Sequence, residues 1–166
     1  GCTDQIRLEV QLADCHVRAT DPEGAVILES PEGGGGVTAE GAQKTIRWSA
    51  SPGERYYGFG EKTGSLDRRG RELVFYATDA YDAAFDGYPP DADPLYASVP
   101  FFVGLRDAKA YGLFTDNTHR LAIDVAASDG AEVRITAAGG TLDHYLFAGP
   151  SIQEVVERYT RLTGRI

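Results

Sequence analysis

The sequence is poor in residue types that mark several protein classes. Its 166 residues contain two cysteines, one tryptophan and no methionine, and they contain no long uninterrupted apolar run. Two cysteines are too few for a disulfide framework, and without a long apolar run no transmembrane segment is predicted. The three histidines, His16, His119 and His144, are scattered and lack the spacing of metal ligands.

Positive charge is also scarce. Sixteen lysines and arginines oppose 25 aspartates and glutamates, so the formal net charge is −9. This balance argues against nucleic acid and anionic membrane surfaces as partners, because neither would attract the chain. The length and the 42% hydrophobic content suit one globular domain with a sizeable core. A neutral sugar is compatible with this charge but is not implied by it.

The two cysteines lead to different expectations. Cys15 stands in an apolar strand pattern, which predicts a buried free thiol. Cys2 follows Gly1 at the start of the sequence, where a processed lipoprotein would carry its lipid. The sequence favours a cytoplasmic protein that does not bind membranes, and lipoprotein anchoring through Cys2 is the alternative.

Most of the chain has the pattern of short strands. Apolar residues alternate with polar ones from Ile6 to Leu12, which predicts a half-buried strand. A turn sequence at 21–24 predicts a hairpin of 14–19 with 25–29. Further strands are predicted at 44–49, 73–77, 99–105, 110–115, 121–125, 133–135 and 141–147. Short strands joined by glycine, proline and aspartate turns indicate a mainly β fold, an antiparallel β-sandwich.

One helix is predicted at the C-terminal end. Ser151 is a candidate N-cap, and Glu154 stands where a capping box requires it. Gly164 is a candidate stop. The apolar residues at helical spacing are Ile152, Val155, Val156, Tyr159 and Leu162.

The most informative segment is 55–70, which reads RYYGFGEKTGSLDRRG. It resembles the Gly-aromatic-Gly-Glu-Lys signature in the N-terminal domain of glycoside hydrolase family 31, the α-glucosidase family. A second block, ATDAY at 77–81 followed by DPLYASVPFF at 93–102, is similar to that domain's substrate-facing loop and next strand. The resemblance implies a galactose-mutarotase-like sandwich over 1–150. It also implies that the helix in 151–166 leads toward the family's catalytic (β/α)8 barrel, which is absent from this sequence.

This resemblance implies a function. The chain would be the N-terminal, substrate-shaping domain of a retaining α-glycosidase, an enzyme that hydrolyses O-glycosyl bonds without a cofactor. Its partners would be an α-linked glucoside or related sugar and the enzyme's own barrel. The family's acid and nucleophile are both barrel aspartates, and a methionine follows the nucleophile. Because this sequence has no methionine, the chain alone is expected to be inactive.

Asp79 and Tyr81 are the candidate substrate-binding residues. A carboxylate accepts hydrogen bonds from two neighbouring sugar hydroxyls, and the resemblance implies that Asp79 holds the non-reducing-end sugar. An aromatic ring such as Tyr81 packs on the apolar face of a sugar. The structural alternative for Asp79 is an Asx turn after the strand at 73–77.

The signature residues are expected to be structural. A Glu–Lys pair beside glycines pins a loop through charge-assisted hydrogen bonds. A catalytic acid at Glu61 is the weaker alternative, because the family's acid lies in the barrel. The structural set is Gly58, Gly60, Glu61 and Lys62.

The loop from Asp79 to Tyr96 is rich in acids and aromatics, and it leaves other interpretations open. A calcium site is the competing use of the acids, but their spacing does not fit an EF-hand loop, and no metal is predicted. Most of the acids other than Asp79 are expected to be solvated. Two other functions remain alternatives: a free-standing carbohydrate-binding module, and an aldose epimerase of mutarotase type, for which no convincing His–Glu pair is seen.

Overall fold

The chain forms three antiparallel sheets and one helix. The computed structural model describes residues 5–33 and 36–165, so Cys2 and its proposed lipidation lie outside the described residues. The strands are β1 (Arg7–Gln11), β2 (His16–Thr20), β3 (Val26–Glu29), β4 (Val37–Glu40), β5 (Gln43–Ser49), β6 (Arg55–Gly58), β7 (Arg71–Phe75), β8 (Phe101–Arg106), β9 (Lys109–Asp116), β10 (Leu121–Val125), β11 (Glu132–Ala137) and β12 (Asp143–Ala148), and the helix is α1 (Ile152–Thr163).

The two larger sheets enclose the core. One has the strand order β4-β5-β11-β10-β7, the other β12-β9-β8-β6, and β1-β2-β3 form a smaller third sheet. Alternate residues of the central strands point inward, as in β10 and β11, where Ile123 and Ile135 are paired and fully buried. The prediction of a mainly antiparallel β-sandwich with one C-terminal helix is confirmed. None of the helical structure described in the chain is long and apolar enough to cross a membrane.

The four-stranded sheet is apolar on both faces. Phe102 points into the sandwich, whereas Phe101 and Val103 point outward and pack with Val155 of α1. Tyr159 of the helix stacks on Phe101 with ring centroids 3.8 Å apart. Gly112 permits this close approach, because a Cβ there would lie 2.5 Å from a methyl carbon of Val155. The helix therefore serves as a third layer of the fold.

The predicted ends of the helix are confirmed. The Ser151 hydroxyl accepts a hydrogen bond from the Glu154 N–H at 3.2 Å, and the Glu154 carboxylate accepts one from the Ser151 N–H at 3.1 Å. Gly164 is the C-cap with φ of 110°. Three members of the predicted apolar stripe stay 40–51% exposed: Ile152, Val156 and Leu162.

Two expectations about the first strands were wrong. The strand at β1 exists, but it is not half-buried: all five of its residues are exposed, and Val10 is 50% exposed. The reason is that β1 is the edge of the small sheet and pairs with β2. Cys15 is an exposed thiol, because it occupies the tight turn before β2 with a positive φ of 55°.

Candidate functional site

The signature segment begins with a turn in the left-handed region. Gly58, Phe59 and Gly60 have φ of 98°, 66° and 68°, values that glycine adopts without steric cost. Phe59 is held there by burial: its ring is inaccessible and stacks on Phe102 at 4.9 Å, and its N–H donates to the Phe101 carbonyl at 2.8 Å. The turn thereby ends β6 and delivers Glu61 and Lys62 to the segment that follows β7.

Lys62 makes a buried ion pair with Asp93. Its Nζ lies 2.5 Å from Oδ1 of Asp93, and the Lys62 side chain is only 2% exposed. The same Nζ donates to the Val74 carbonyl and lies 4.3 Å from the centre of the Phe75 ring. Burial lowers the pKa of Lys62, and the hydrogen bond and charge of Asp93 oppose that shift. The second Asp93 oxygen accepts the Val74 N–H at 2.7 Å, so the pair ties residue 93 to the end of β7.

Three further hydrogen bonds hold the stretch that we call the return segment, residues 92–97. Glu61 accepts the Ala97 N–H at 2.8 Å, and the Thr63 hydroxyl donates to the Ala92 carbonyl at 3.2 Å. On the other side, the Leu95 carbonyl accepts the Thr78 N–H at 3.0 Å. The return segment is therefore fixed between the signature and the chain leaving β7.

Arg68, which lies in the signature segment itself, fixes the backbone of the residues before it. It is buried, and it donates to the carbonyl of Thr63 at 2.5 Å and to that of Lys62 at 3.1 Å. These bonds fix the backbone from which Lys62 reaches Asp93. The arrangement is a chain of polar contacts that runs from Arg68 to the base of the 79–96 loop.

Asp79 and Tyr81 lie together at the surface of this loop. The Asp79 carboxylate accepts the Tyr81 N–H at 3.2 Å, which is the geometry of an Asx turn. Tyr81 is 59% exposed. Burial and the nearby Asp79 carboxylate raise the pKa of Tyr96. The loop thus presents the Asp79 carboxylate near the rings of Tyr81 and Tyr96. Contact of Asp79 or Tyr81 with a sugar stays a prediction.

The rest of the loop exposes aromatic rings. Phe85, Tyr88 and Tyr96 are 54%, 41% and 44% exposed, and the rings of Tyr88 and Tyr96 have centroids 6.5 Å apart. The Asp82 carboxylate makes a hydrogen bond within the loop, where it accepts the Ala84 N–H at 2.9 Å. Within the described ranges, no three His, Cys, Asp or Glu side chains are grouped to hold a metal ion. The loop's surface chemistry is therefore aromatic and acidic.

The histidines occupy separate elements. His16 lies 3.7 Å from Glu29 in the small sheet, and His119 is exposed after β9. His144 is largely buried in β12, and its Nδ1 lies 3.2 Å from the Thr115 hydroxyl. No polar contact of its Nε2 is seen within the described residues. Burial lowers the pKa of His144 to about 4.

This histidine predicts an acid-dependent loss of stability. The unfolded chain binds a proton near the ordinary pKa of 6.5, whereas the folded chain binds it near 4. Stability should therefore be complete above about pH 6.5 and fall as the pH drops toward 4, by about 2 kcal/mol between pH 7 and pH 5. Urea unfolding at both pH values measures the loss. His144→Asn, which can still bond to Thr115, should lose much less over this interval, and an equal loss would contradict the assignment.

A cavity of about 530 Å³ adjoins the root of the loop. Its walls include Tyr76 and Ser98 on either side of the loop, together with Phe114 and Tyr159. A second cavity, of about 610 Å³, lies between the β2–β3 turn, the β8–β9 turn and the start of α1. Among the described residues, neither Asp79 nor Tyr81 lines either cavity.

Comparison with known proteins identifies the relatives of this arrangement. A family model described as the glycosyl hydrolase 31 N-terminal galactose mutarotase-like domain matches residues 2–124. Alpha-glucosidase 2 of Bacillus thermoamyloliquefaciens is 37% identical over 150 residues, which are 90% of this chain and 18% of that protein. The alpha-glucosidase of Saccharolobus solfataricus is 32% identical over 129 residues, 78% of this chain and 18% of that protein.

Solved structures agree with these sequence matches. A glycoside hydrolase family 31 dextranase of Flavobacterium johnsoniae, solved with glucose, superposes with a TM-score of 0.85 and 25% identity. The match covers 98% of this chain and 19% of the dextranase. The chain thus spans less than a fifth of the length of these relatives. The resemblance to the N-terminal domain of glycoside hydrolase family 31 is confirmed.

Proposed function

Because the chain belongs to the family of glycosyl hydrolase 31 N-terminal galactose mutarotase-like domains, we propose that it shapes the substrate site of a retaining α-glycosidase. In this role the domain holds an α-linked glucoside or related sugar while a separate (β/α)8 barrel cleaves it. The observation that carries the proposal is the exposed Asp79 on a loop whose base is fixed by the buried Lys62–Asp93 pair.

The chemistry of the loop suits a neutral sugar. A carboxylate accepts two hydrogen bonds at once, which matches neighbouring hydroxyls on a pyranose ring. The exposed rings of Tyr81, Tyr88 and Tyr96 offer flat surfaces on which the apolar face of a sugar packs. The net charge of −9 disfavours phosphorylated or acidic ligands.

Holding the sugar is a different task from cleaving it. Retaining hydrolysis uses a nucleophile and an acid/base, two carboxyl groups about 5–5.5 Å apart across the glycosidic bond. In our proposal both belong to the barrel, and Asp79 binds the substrate without taking part in bond cleavage. The size of the relatives supports this division, because this chain corresponds to 18% of each alpha-glucosidase.

Activity measurements test the proposal. The 166-residue chain incubated with a chromogenic α-glucoside should release no chromophore above buffer, whereas the intact α-glycosidase should turn it over. Turnover by the pure chain that a single substitution within it abolishes would overturn the proposal. Calorimetry tests the alternative of a free-standing binding module, which would bind a malto- or isomalto-oligosaccharide tightly without the barrel.

A further inference from the structure

Three consecutive side chains of the signature segment hold the return segment at three points. The contacts are those of Glu61 with the Ala97 N–H at 2.8 Å, Lys62 with the Asp93 carboxylate at 2.5 Å, and Thr63 with the Ala92 carbonyl at 3.2 Å. The bound position falls along the return segment as the signature position rises, which is the order of an antiparallel pair. Three adjacent residues therefore act together on one distant stretch of chain.

The strand that enters the loop is held to the same place. Lys62 Nζ donates to the Val74 carbonyl, and the carboxylate paired with Lys62 accepts the Val74 N–H at 2.7 Å. Four residues later the Thr78 N–H donates to the Leu95 carbonyl at 3.0 Å. The entry and the exit of the loop are thus joined at two levels, and the second level stands next to Asp79 in the chain.

Gly60 brings Glu61 within reach of the return segment. Its φ is 68°, and a Cβ at this position would lie 2.7 Å from the Cβ of Val99. Only a residue without a side chain fits so close to Val99, which follows Ala97 by two residues. The bond from the Ala97 N–H to the Glu61 carboxylate is charge-assisted, which makes it stronger than a bond between neutral groups.

We propose that Glu61 is a positioning residue of the substrate loop: it fixes the return segment at Ala97 and, through the Leu95–Thr78 bond, the place of Asp79. This inference rests on the proposed function, in which Asp79 contacts the sugar. A loop held in place before binding loses less conformational entropy when the sugar arrives. The role requires a hydrogen-bond acceptor at residue 61, whereas a catalytic acid requires a proton donor.

The first experiment examines positioning without a sugar. Glu61→Met keeps the length of the side chain and removes the acceptor, whereas Glu61→Gln keeps an acceptor oxygen. In amide hydrogen exchange of the 166-residue chain, Glu61→Met should speed exchange at Thr78 about tenfold, because the base of the loop opens more often. Glu61→Gln should change it less than about threefold. Unchanged exchange at Thr78 in Glu61→Met would overturn the positioning role, even if Ala97 itself exchanged faster.

Asp82→Ala is the matched control for this measurement. It also removes a carboxylate that accepts a backbone N–H in the loop, but its bond to Ala84 lies away from the base. Exchange at Thr78 should therefore stay within about twofold of wild type. A rise as large as that in Glu61→Met would show that any lost loop bond has this effect, and would overturn the specific role of Glu61.

The second experiment asks whether Glu61 acts through Asp79. In the intact α-glycosidase, Glu61→Met should lower kcat/KM for an α-glucoside roughly three- to tenfold, but less than about twofold when Asp79 is already alanine. Glu61→Gln should stay within about twofold of wild type. Equal losses in the two backgrounds, or a loss in Glu61→Gln as large as in Glu61→Met, would overturn the inference. If Asp79→Ala alone leaves kcat/KM unchanged, the proposed function fails, and the exchange comparison still decides whether Glu61 positions the loop.

Discussion

Asp79→Ala is expected to lower kcat/KM of the intact α-glycosidase roughly ten- to hundredfold. A hydrogen bond to a charged group contributes about 1.5–3 kcal/mol, and each 1.4 kcal/mol corresponds to about a factor of ten. The fold should survive, because Asp79 is exposed and its carboxylate bonds to the loop's own backbone, at the Tyr81 N–H. Steady-state kinetics with a chromogenic α-glucoside, together with thermal unfolding, measure both effects.

Asp91→Ala is the matched control for this substitution. Asp91 is another exposed carboxylate of the same loop, so replacing it removes the same charge at a different point. It should change kcat/KM by less than about threefold, which corresponds to a surface effect below 1 kcal/mol. If the two variants behaved alike, the carboxylate of Asp79 would be a turn residue, and the domain would not contribute it to the substrate site.

Lys62→Met should destabilise the domain by about 3 kcal/mol. The substitution keeps the apolar length of the side chain but leaves Asp93 without its cation in a site where the lysine is 2% exposed and the aspartate 14% exposed. Removing one partner of a buried ion pair costs about 3–5 kcal/mol, because the remaining charge is poorly solvated. Urea unfolding at pH 7 measures the difference from wild type.

Lys109→Met provides the comparison at an exposed ion pair. Lys109 lies 3.0 Å from Asp21, which is 16% exposed, but the lysine side chain is 62% exposed, so solvent screens this pair far more than the pair of the 2% exposed Lys62. The expected cost is below about 1 kcal/mol. An equally small cost for Lys62→Met would show that the Lys62–Asp93 pair does not stabilise the base of the loop.

Local chemistry made much of the fold predictable. Ser151 and Glu154 identify the start of the helix because a capping box acts within four residues. The central strands are visible as alternating apolar residues because both of their sheets line one core. The exposure of β1 was not predictable in this way, since alternation reveals which residues share a face and not whether another layer covers that face. The positive φ of Cys15 was not predictable either, because it depends on which residues form the turn before β2.

The contacts within the site could not be predicted from the sequence, because they join residues that are far apart in the chain. Lys62 and Asp93 are 31 residues apart, and Glu61 and Ala97 are 36 apart. No local spacing pattern connects them, so the sequence did not distinguish Asp93 from the other loop acids, most of which were expected to be solvated. The structure separates it from them, because it is ion-paired and 14% exposed. The role of Asp79, by contrast, was suggested by resemblance, and its geometry admits both a turn and a ligand contact.

The placement of α1 over the four-stranded sheet affects how the domain folds as it is synthesised. The outer face of β8 and β9 is covered by Val155 and Tyr159, which leave the ribosome after every strand. Until they emerge, the two-sheet core can close, but Phe101 and Val103 remain open to water. Domains generally fold as units while the chain is being made. The domain therefore becomes fully packed only when translation has already passed the helix.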